Sequence, residues 1–151
     1  MSDWPLLNLP PVDFRFSIKD GEEFVWDEFR KRNILLTPEE WVRQNFLKYL
    51  VNDLQYPKSL IKVESGLKYN NLNKRHDALV YSNNGLPWLL VECKATDVKL
   101  NQSAFEQIGL YNKTIQAPYM VLTNGLTHFC CKQDFNKSST EFLKEIPVWP
   151  F

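Results

Sequence analysis

Cysteine is scarce in this chain. Cys93, Cys130 and Cys131 are the only three, two of them are adjacent, and no Cys-x-x-Cys spacing occurs. That count and arrangement argue against a disulfide framework and against a zinc site. Long apolar runs are missing too. None is longer than the one from Leu86 to Val91, far short of the ~20 residues that a membrane-spanning helix needs. The start, Met1-Ser2-Asp3-Trp4-Pro5, has neither a basic segment nor an apolar core. A secretory signal is therefore not expected, and the cytoplasm is the expected location. No Gly-x-x-x-x-Gly-Lys-[Ser/Thr] segment occurs, which excludes ATP-driven translocation by this chain alone. No excess charge of one sign advertises nucleic-acid binding, because 18 basic residues balance 18 acidic ones. Repeats, low-complexity segments and linkers do not stand out.

What is present reads as one soluble globular domain of 151 residues, 44% hydrophobic and 24% charged. Its charge is unevenly spread. Residues 1–40 hold five basic and nine acidic side chains, and residues 41–151 hold 13 and nine. Much of the basic excess lies between Arg43 and Arg75, with Lys48, Lys58, Lys62, Lys68 and Lys74. Such a stretch either binds phosphate or is simply a solvated helix face and loop.

Hydrophobic spacing divides the chain into elements. Residues 12–27 read as a hairpin: Phe14, Phe16 and Ile18 alternate with polar residues, Asp20-Gly21 turns, and Phe24 and Trp26 continue. Thr37-Pro38-Glu39-Glu40 opens a helix, with Thr37 as N-cap, Pro38 at the first position and Glu40 completing a capping box. Trp41, Val42, Phe46, Leu47 and Leu50 have helical spacing, and the helix should end near Asp53. Leu60–Glu64 is a short strand candidate. Asp77–Ser82 and Leu86–Lys94 form a hairpin about Asn84-Gly85. A second helix is expected over about Asn101–Gln116, then a strand at Tyr119–Leu122, a turn at Asn124-Gly125, and a strand through Phe129 and Cys130. A short helix is expected near Ser138–Lys144. The order predicts an α/β (α+β) domain, a mixed central sheet flanked by helices. Residues 1–36 form an N-terminal hairpin extension, 37–131 the core and 132–151 a C-terminal tail.

The central hairpin brings two acids together. A two-residue type I′ turn at Asn84-Gly85 pairs Asn83 with Leu86 and sets Asp77 opposite Glu92. Directly opposed like charges destabilise a sheet. Lys94 lies two residues beyond Glu92 and shares its face, whereas Cys93 points the other way, into the core. Two carboxylates and a lysine on one face suit Mg²⁺ (or Mn²⁺), which takes oxygen ligands, and metal-dependent phosphodiester hydrolysis. The Cys93 backbone carbonyl offers a further ligand. The alternative is a plain ion pair between Asp77 and Lys94, with Glu92 in solvent.

Arg75-His76-Asp77-Ala78-Leu79-Val80-Tyr81 followed by Leu89-Leu90-Val91-Glu92-Cys93-Lys94-Ala95 resembles the core of the PD-(D/E)xK nuclease superfamily. The chain is most similar to the N-terminal nuclease domain of type I restriction enzyme motor subunits. Thr37–Gln44, Gln107-Ile108-Gly109-Leu110-Tyr111 and Leu122-Thr123-Asn124-Gly125 extend that resemblance over roughly residues 37–131. His76 stands where the superfamily name has proline, and no helicase motor is expected within these 151 residues.

The resemblance implies a restriction-endonuclease-like fold and a nuclease acting on DNA. Asp77 and Glu92 would hold the metal, and Lys94 would orient the nucleophile. Glu40 would be an additional acid near the metal, unless it serves only the capping box. Gln107 and Tyr111, one helical turn apart, would support the site, unless they are a surface amide and a packed aromatic. Lys48, Lys62, Lys68, Lys74 and Arg75 are candidate nucleic-acid contacts. Other restriction or repair subunits are candidate partners. Cutting both strands calls for two sites, hence a homodimer or two binding events. Two other readings stay open: a catalytically weak or inactive module that binds nucleic acid or a partner, and a scaffold whose aromatic ends, Trp4 and Trp149–Phe151, dock a partner.

Overall fold

The computed structural model of the chain describes residues 4–63 and 77–151. Its strands form two sheets. The first is antiparallel, in the order β1 (Phe16–Lys19), β2 (Glu22–Asp27), β3 (Arg32–Leu35). Asp20 and Gly21 both lie at positive φ, 54° and 79°, and join Lys19 to its partner Glu22. That is the two-residue turn their dipeptide predicts. The third strand was not expected. Arg32–Leu35 has no apolar alternation; it is added by a turn in which Asp27 Oδ1 accepts the N–H groups of Phe29 (2.7 Å) and Arg30 (3.1 Å).

Helix α1 (Pro38–Asn52) starts where the capping signal places it. Thr37 Oγ1 accepts the Glu40 N–H at 3.0 Å, and Asp53 caps the other end. Val42, Phe46, Leu47 and Leu50 are fully buried, each such side chain contributing roughly 1.5–3 kcal/mol of apolar burial. Trp41 points elsewhere. It stacks on Trp4 at 5.9 Å, meets Phe14 at 5.7 Å, and donates to the Pro5 carbonyl, which ties the N-terminal segment to α1.

The second sheet has the order β4-β5-β6-β7-β8-β9. Its strands are β4 (Ile61–Val63), preceded by a 3₁₀ turn at Lys58–Leu60, then β5 (Ala78–Tyr81), β6 (Pro87–Cys93), β7 (Tyr119–Thr123), β8 (His128–Asp134) and β9 (Ser139–Leu143). β6 and β7 are parallel and joined through helix α2 (Gln102–Ile115), and every other pair is antiparallel. The sheet is mixed, as expected. Ala78, Val80, Leu89, Val91 and Cys93 pack with α1 on one face; Leu79, Leu90, Met120 and Leu122 pack with Phe105 and Ile108 of α2 on the other. Cys93 is thus the core residue that strand alternation predicts.

Two expectations are corrected. The β5–β6 turn is not type I′, since of the Asn84-Gly85 pair only Gly85 lies at positive φ (81°). Gly85 N–H bonds back to Ser82 and Ser82 N–H to Leu86, so the loop has three residues with glycine in the left-handed position. That loop alone would shift the register by one, but a bulge restores it: Tyr81 faces Pro87 while Val80 faces Leu89. Ala78 faces Val91, so Asp77 still meets Glu92. Second, Ser139–Leu143 is strand β9, not a helix. Asp134 Oδ1 caps Asn136 and Lys137, Ser138 takes φ 52°, and the chain reverses to pair with β8. Ring packing of Phe142 on Phe105 rewards the extended form.

The aromatic tail folds back on its own domain. Tyr56 donates to the Pro147 carbonyl (2.6 Å), Trp149 N–H bonds to Leu54, and Phe151 meets Trp88 at 5.4 Å. No helix among the described residues is long and apolar enough to cross a membrane.

Candidate active site

The acids opposed in the hairpin form the centre of a charged cluster. Asp77 N–H bonds to the Val91 carbonyl at 3.0 Å, which carries the ladder one residue past β5 and sets its side chain beside Glu92. Asp77 Oδ2 accepts the Cys93 N–H at 2.5 Å. Lys94 N–H bonds to Thr123 on β7, which fixes its backbone, and Lys94 Nζ lies 3.5 Å from Glu92 Oε2. Asp77, Glu92 and Lys94 are thus brought together.

The first turns of α1 close the site from above. Arg43 Nη2 lies 3.0 Å from Asp77 Oδ1 and 3.1 Å from Glu39 Oε1, and its Nη1 is 3.4 Å from Glu40 Oε1. Glu40 is buried, and its carboxylate accepts Arg30 Nη2 at 2.6 Å and Gln44 Nε2 at 2.8 Å. Arg30 also pairs with the fully buried Asp27. The Glu40 backbone N–H completes the Thr37 cap, but its carboxylate is spent on this network. Glu39, half-exposed, is the α1 acid that interacts with Asp77 and Lys94.

Electrostatics follow from this crowding. Burial, then Glu92, pushes the Asp77 carboxyl up to about 7, against the pull of Arg43. Burial, then Asp77, raises Glu39 as well. For Arg43 burial works against the charge, but Asp77 and Glu40 outweigh it and hold the guanidinium more firmly protonated.

The remaining candidates lie further out. Gln107 is exposed on α2, and Tyr111 is half-buried against the α2 face of the sheet. Lys48 is paired with Glu28. Lys62 points outward from the edge strand β4. Lys68, Lys74, Arg75 and His76 lie outside the described residues. Sequence reasoning missed Arg30, Arg43, Gln44, Glu39 and Asp27. The one available signal was the spacing of Glu39, Glu40, Arg43 and Gln44, which puts polar groups on the helix face that also carries Phe46 and Leu47.

The fold and the cluster together define a mixed-sheet domain with a paired-acid site at the open end of its central hairpin. A family model described as type I restriction enzyme R protein N terminus matches residues 38–147, and the chain belongs to that family. Among solved structures, it is similar to the fragment structure of a protein described as an HsdR subunit of a type I restriction enzyme from Vibrio vulnificus YJ016. The TM-score is 0.49 at 16% identity, with 75% of this chain and 24% of that chain covered. The chain therefore corresponds to a small part of that protein's length. No curated protein sequence matches it.

Proposed function

We propose that this domain hydrolyses DNA phosphodiester bonds with the help of a divalent cation, as an endonuclease-like module of the PD-(D/E)xK kind. One observation carries the proposal: Asp77 and Glu92 lie side by side, with Lys94 3.5 Å from Glu92. The donor set suits Mg²⁺ or Mn²⁺. It is all oxygen, and two acids forced together in a buried place leave negative charge that a cation would relieve. Among the described residues no three His, Cys, Asp or Glu side chains gather into a metal cage. Mg²⁺ commonly takes one or two carboxylates and completes its shell with water and phosphate oxygens. Asp77, Glu92 and the Cys93 carbonyl would hold the ion, which when bound lowers the pKa of its water and offsets charge building on the phosphate.

The chain's own groups divide the remaining work. Lys94, held by Glu92, presents an ammonium to the attacking oxygen or to a non-bridging phosphate oxygen. Glu40 anchors Arg30 and Arg43, and Glu39 takes the place of the additional acid facing the site. Gln107 and Tyr111 support the site through α2. Lys62, with Lys68, Lys74 and Arg75, contacts the DNA backbone, and Lys48 contributes less because Glu28 neutralises it. With zero net charge on the whole chain, intrinsic DNA affinity is weak and strongly salt-dependent. Other restriction or repair subunits, or a second copy, supply the missing affinity and the second cut.

The test is cleavage of linear, supercoiled and single-stranded DNA with Mg²⁺ or Mn²⁺, beside Asp77→Ala and Lys94→Ala. Each variant should lose at least ~10²-fold in rate while keeping its fold. Cleavage at the normal rate by folded Asp77→Ala would falsify the proposal. No cleavage on any substrate, with DNA binding unmoved by either substitution, would favour a binding module of the same fold.

A further inference from the structure

A property of Arg43 rests on the cation-dependent function proposed above and extends it. The Arg43 side chain is only 12% exposed and sits among the carboxylates of Glu39, Glu40 and Asp77. Its Nε is buried without a hydrogen-bond partner among the described residues, so the guanidinium is not fully satisfied by them where it lies. Glu40 depends on it less, because Arg30 and Gln44 already donate to its Oε2 and Arg43 reaches only Oε1, at 3.4 Å. Asp77 depends on it more: Oδ2 takes the Cys93 N–H, and Oδ1 takes Arg43 at 3.0 Å. Both Asp77 oxygens are therefore engaged, and the cation beside Oδ1 is an arginine. A guanidinium and a dication on one carboxylate repel each other strongly in so buried a place.

We propose that Arg43 is an internal counterion that competes with the divalent cation for Asp77, so that ion entry requires the guanidinium to leave Oδ1. Glu39, one turn earlier on α1 and 3.1 Å from Nη2, keeps the displaced guanidinium paired. Arg43 is in this sense a positioning residue. It holds Asp77 in place without the ion and sets how tightly the ion binds.

The experiment is Mn²⁺ titration of the whole chain by calorimetry, without DNA, for wild type, Arg43→Gln, Arg43→Lys and Asp77→Asn. Thermal unfolding by circular dichroism reports whether each is folded. Arg43→Gln removes the competing charge and should bind Mn²⁺ at least about tenfold more tightly than wild type. Arg43→Lys keeps the charge but lacks the fork that spans Asp77 and Glu39. It should tighten binding less, and it carries the comparison if Arg43→Gln does not fold. Asp77→Asn should lose the ion. Equal or weaker binding by the folded Arg43 variants, with loss in Asp77→Asn, overturns the role of Arg43 and leaves the cation site standing. No Mn²⁺ uptake by wild type or any variant overturns both.

Discussion

α1 and α2 cover opposite faces of one sheet, yet they treat polar groups in opposite ways. α2 buries Phe105 and Ile108, and its one buried polar residue, Asn112, serves the helix's own end. Asn112 exchanges hydrogen bonds with both backbone groups of Ala117 and bonds to Gln133 at 2.5 Å. α1 buries Glu40, Gln44 and Asn45 among its apolar residues; Gln44 and Asn45 bond within the helix, but the Glu40 carboxylate also takes a partner from outside it. Arg30 arrives from the β2–β3 turn, and Arg43 leads on to Asp77. A buried charge costs several kcal/mol unless it is paired and hydrogen-bonded. The helix that carries such charges needs a network, and here the network ends at the paired acids. The buried face of α2 is given to packing, whereas the buried face of α1 both packs and builds the site.

The comparison can be broken most severely at Glu40. Glu40→Ala takes a buried carboxylate away from Arg30, Arg43 and Gln44 and should cost about 3–5 kcal/mol in denaturant unfolding. A loss near that of a surface residue would mean that the network is dispensable. On the other face, Ile108→Ala should cost about 2–4 kcal/mol through its cavity alone. Mn²⁺ affinity should not move in that folded variant, and a shift would show that the packing of Ile108 under the sheet also sets the ion site.

A third test uses pH. Asp77 is raised from its unfolded value of 3.8 to about 7 in the folded protein. Between those values the folded state holds the extra proton, so the Asp77 contribution to stability is full below pH 3.8 and lost as pH rises through 7. The slope is no steeper than about 1.4 kcal/mol per pH unit. Asp77→Asn should remove it, which metal-free calorimetry from pH 4 to 8 would check. The smallest effect compares the caps. Thr37→Ala and Asn101→Ala should each cost about 1 kcal/mol. Only Thr37→Ala should also weaken Mn²⁺ binding, because the turn it closes presents Glu39, which takes up the guanidinium that the ion displaces.

Much of this was legible from the residues. Thr37 caps α1 at 3.0 Å as expected, and α2 starts where expected, with Asn101 as its cap at 2.8 Å, since capping is decided within three residues. The meeting of Asp77 with Glu92 was also legible, though by a turn that does not form. A three-residue loop and a bulge cancel and restore the register that a two-residue turn would have set. Period-two alternation binds each residue to a face, so only even slips keep the core buried. β9 was misread because Ser138 and Glu141, three residues apart before the apolar pair Phe142-Leu143, have the spacing of a capping box. Its strand form depends on β8 beside it.

The sequence by itself determined which residues line the two helices, which alternate along the strands, and that Asp77, Glu92 and Lys94 share one end of a hairpin. Those features rest on hydrogen bonds and periodicities that span a few residues. Only the tertiary structure decided that Glu40 is consumed by Arg30 and Gln44, that Glu39 faces Asp77 instead, and that Arg43 stands on its Oδ1. Charge partners of that kind are chosen by how α1 lies across the sheet and by how the β2–β3 turn reaches it. Buried charges must be neutralised by whatever packing brings within reach, and separation along the chain says nothing about that.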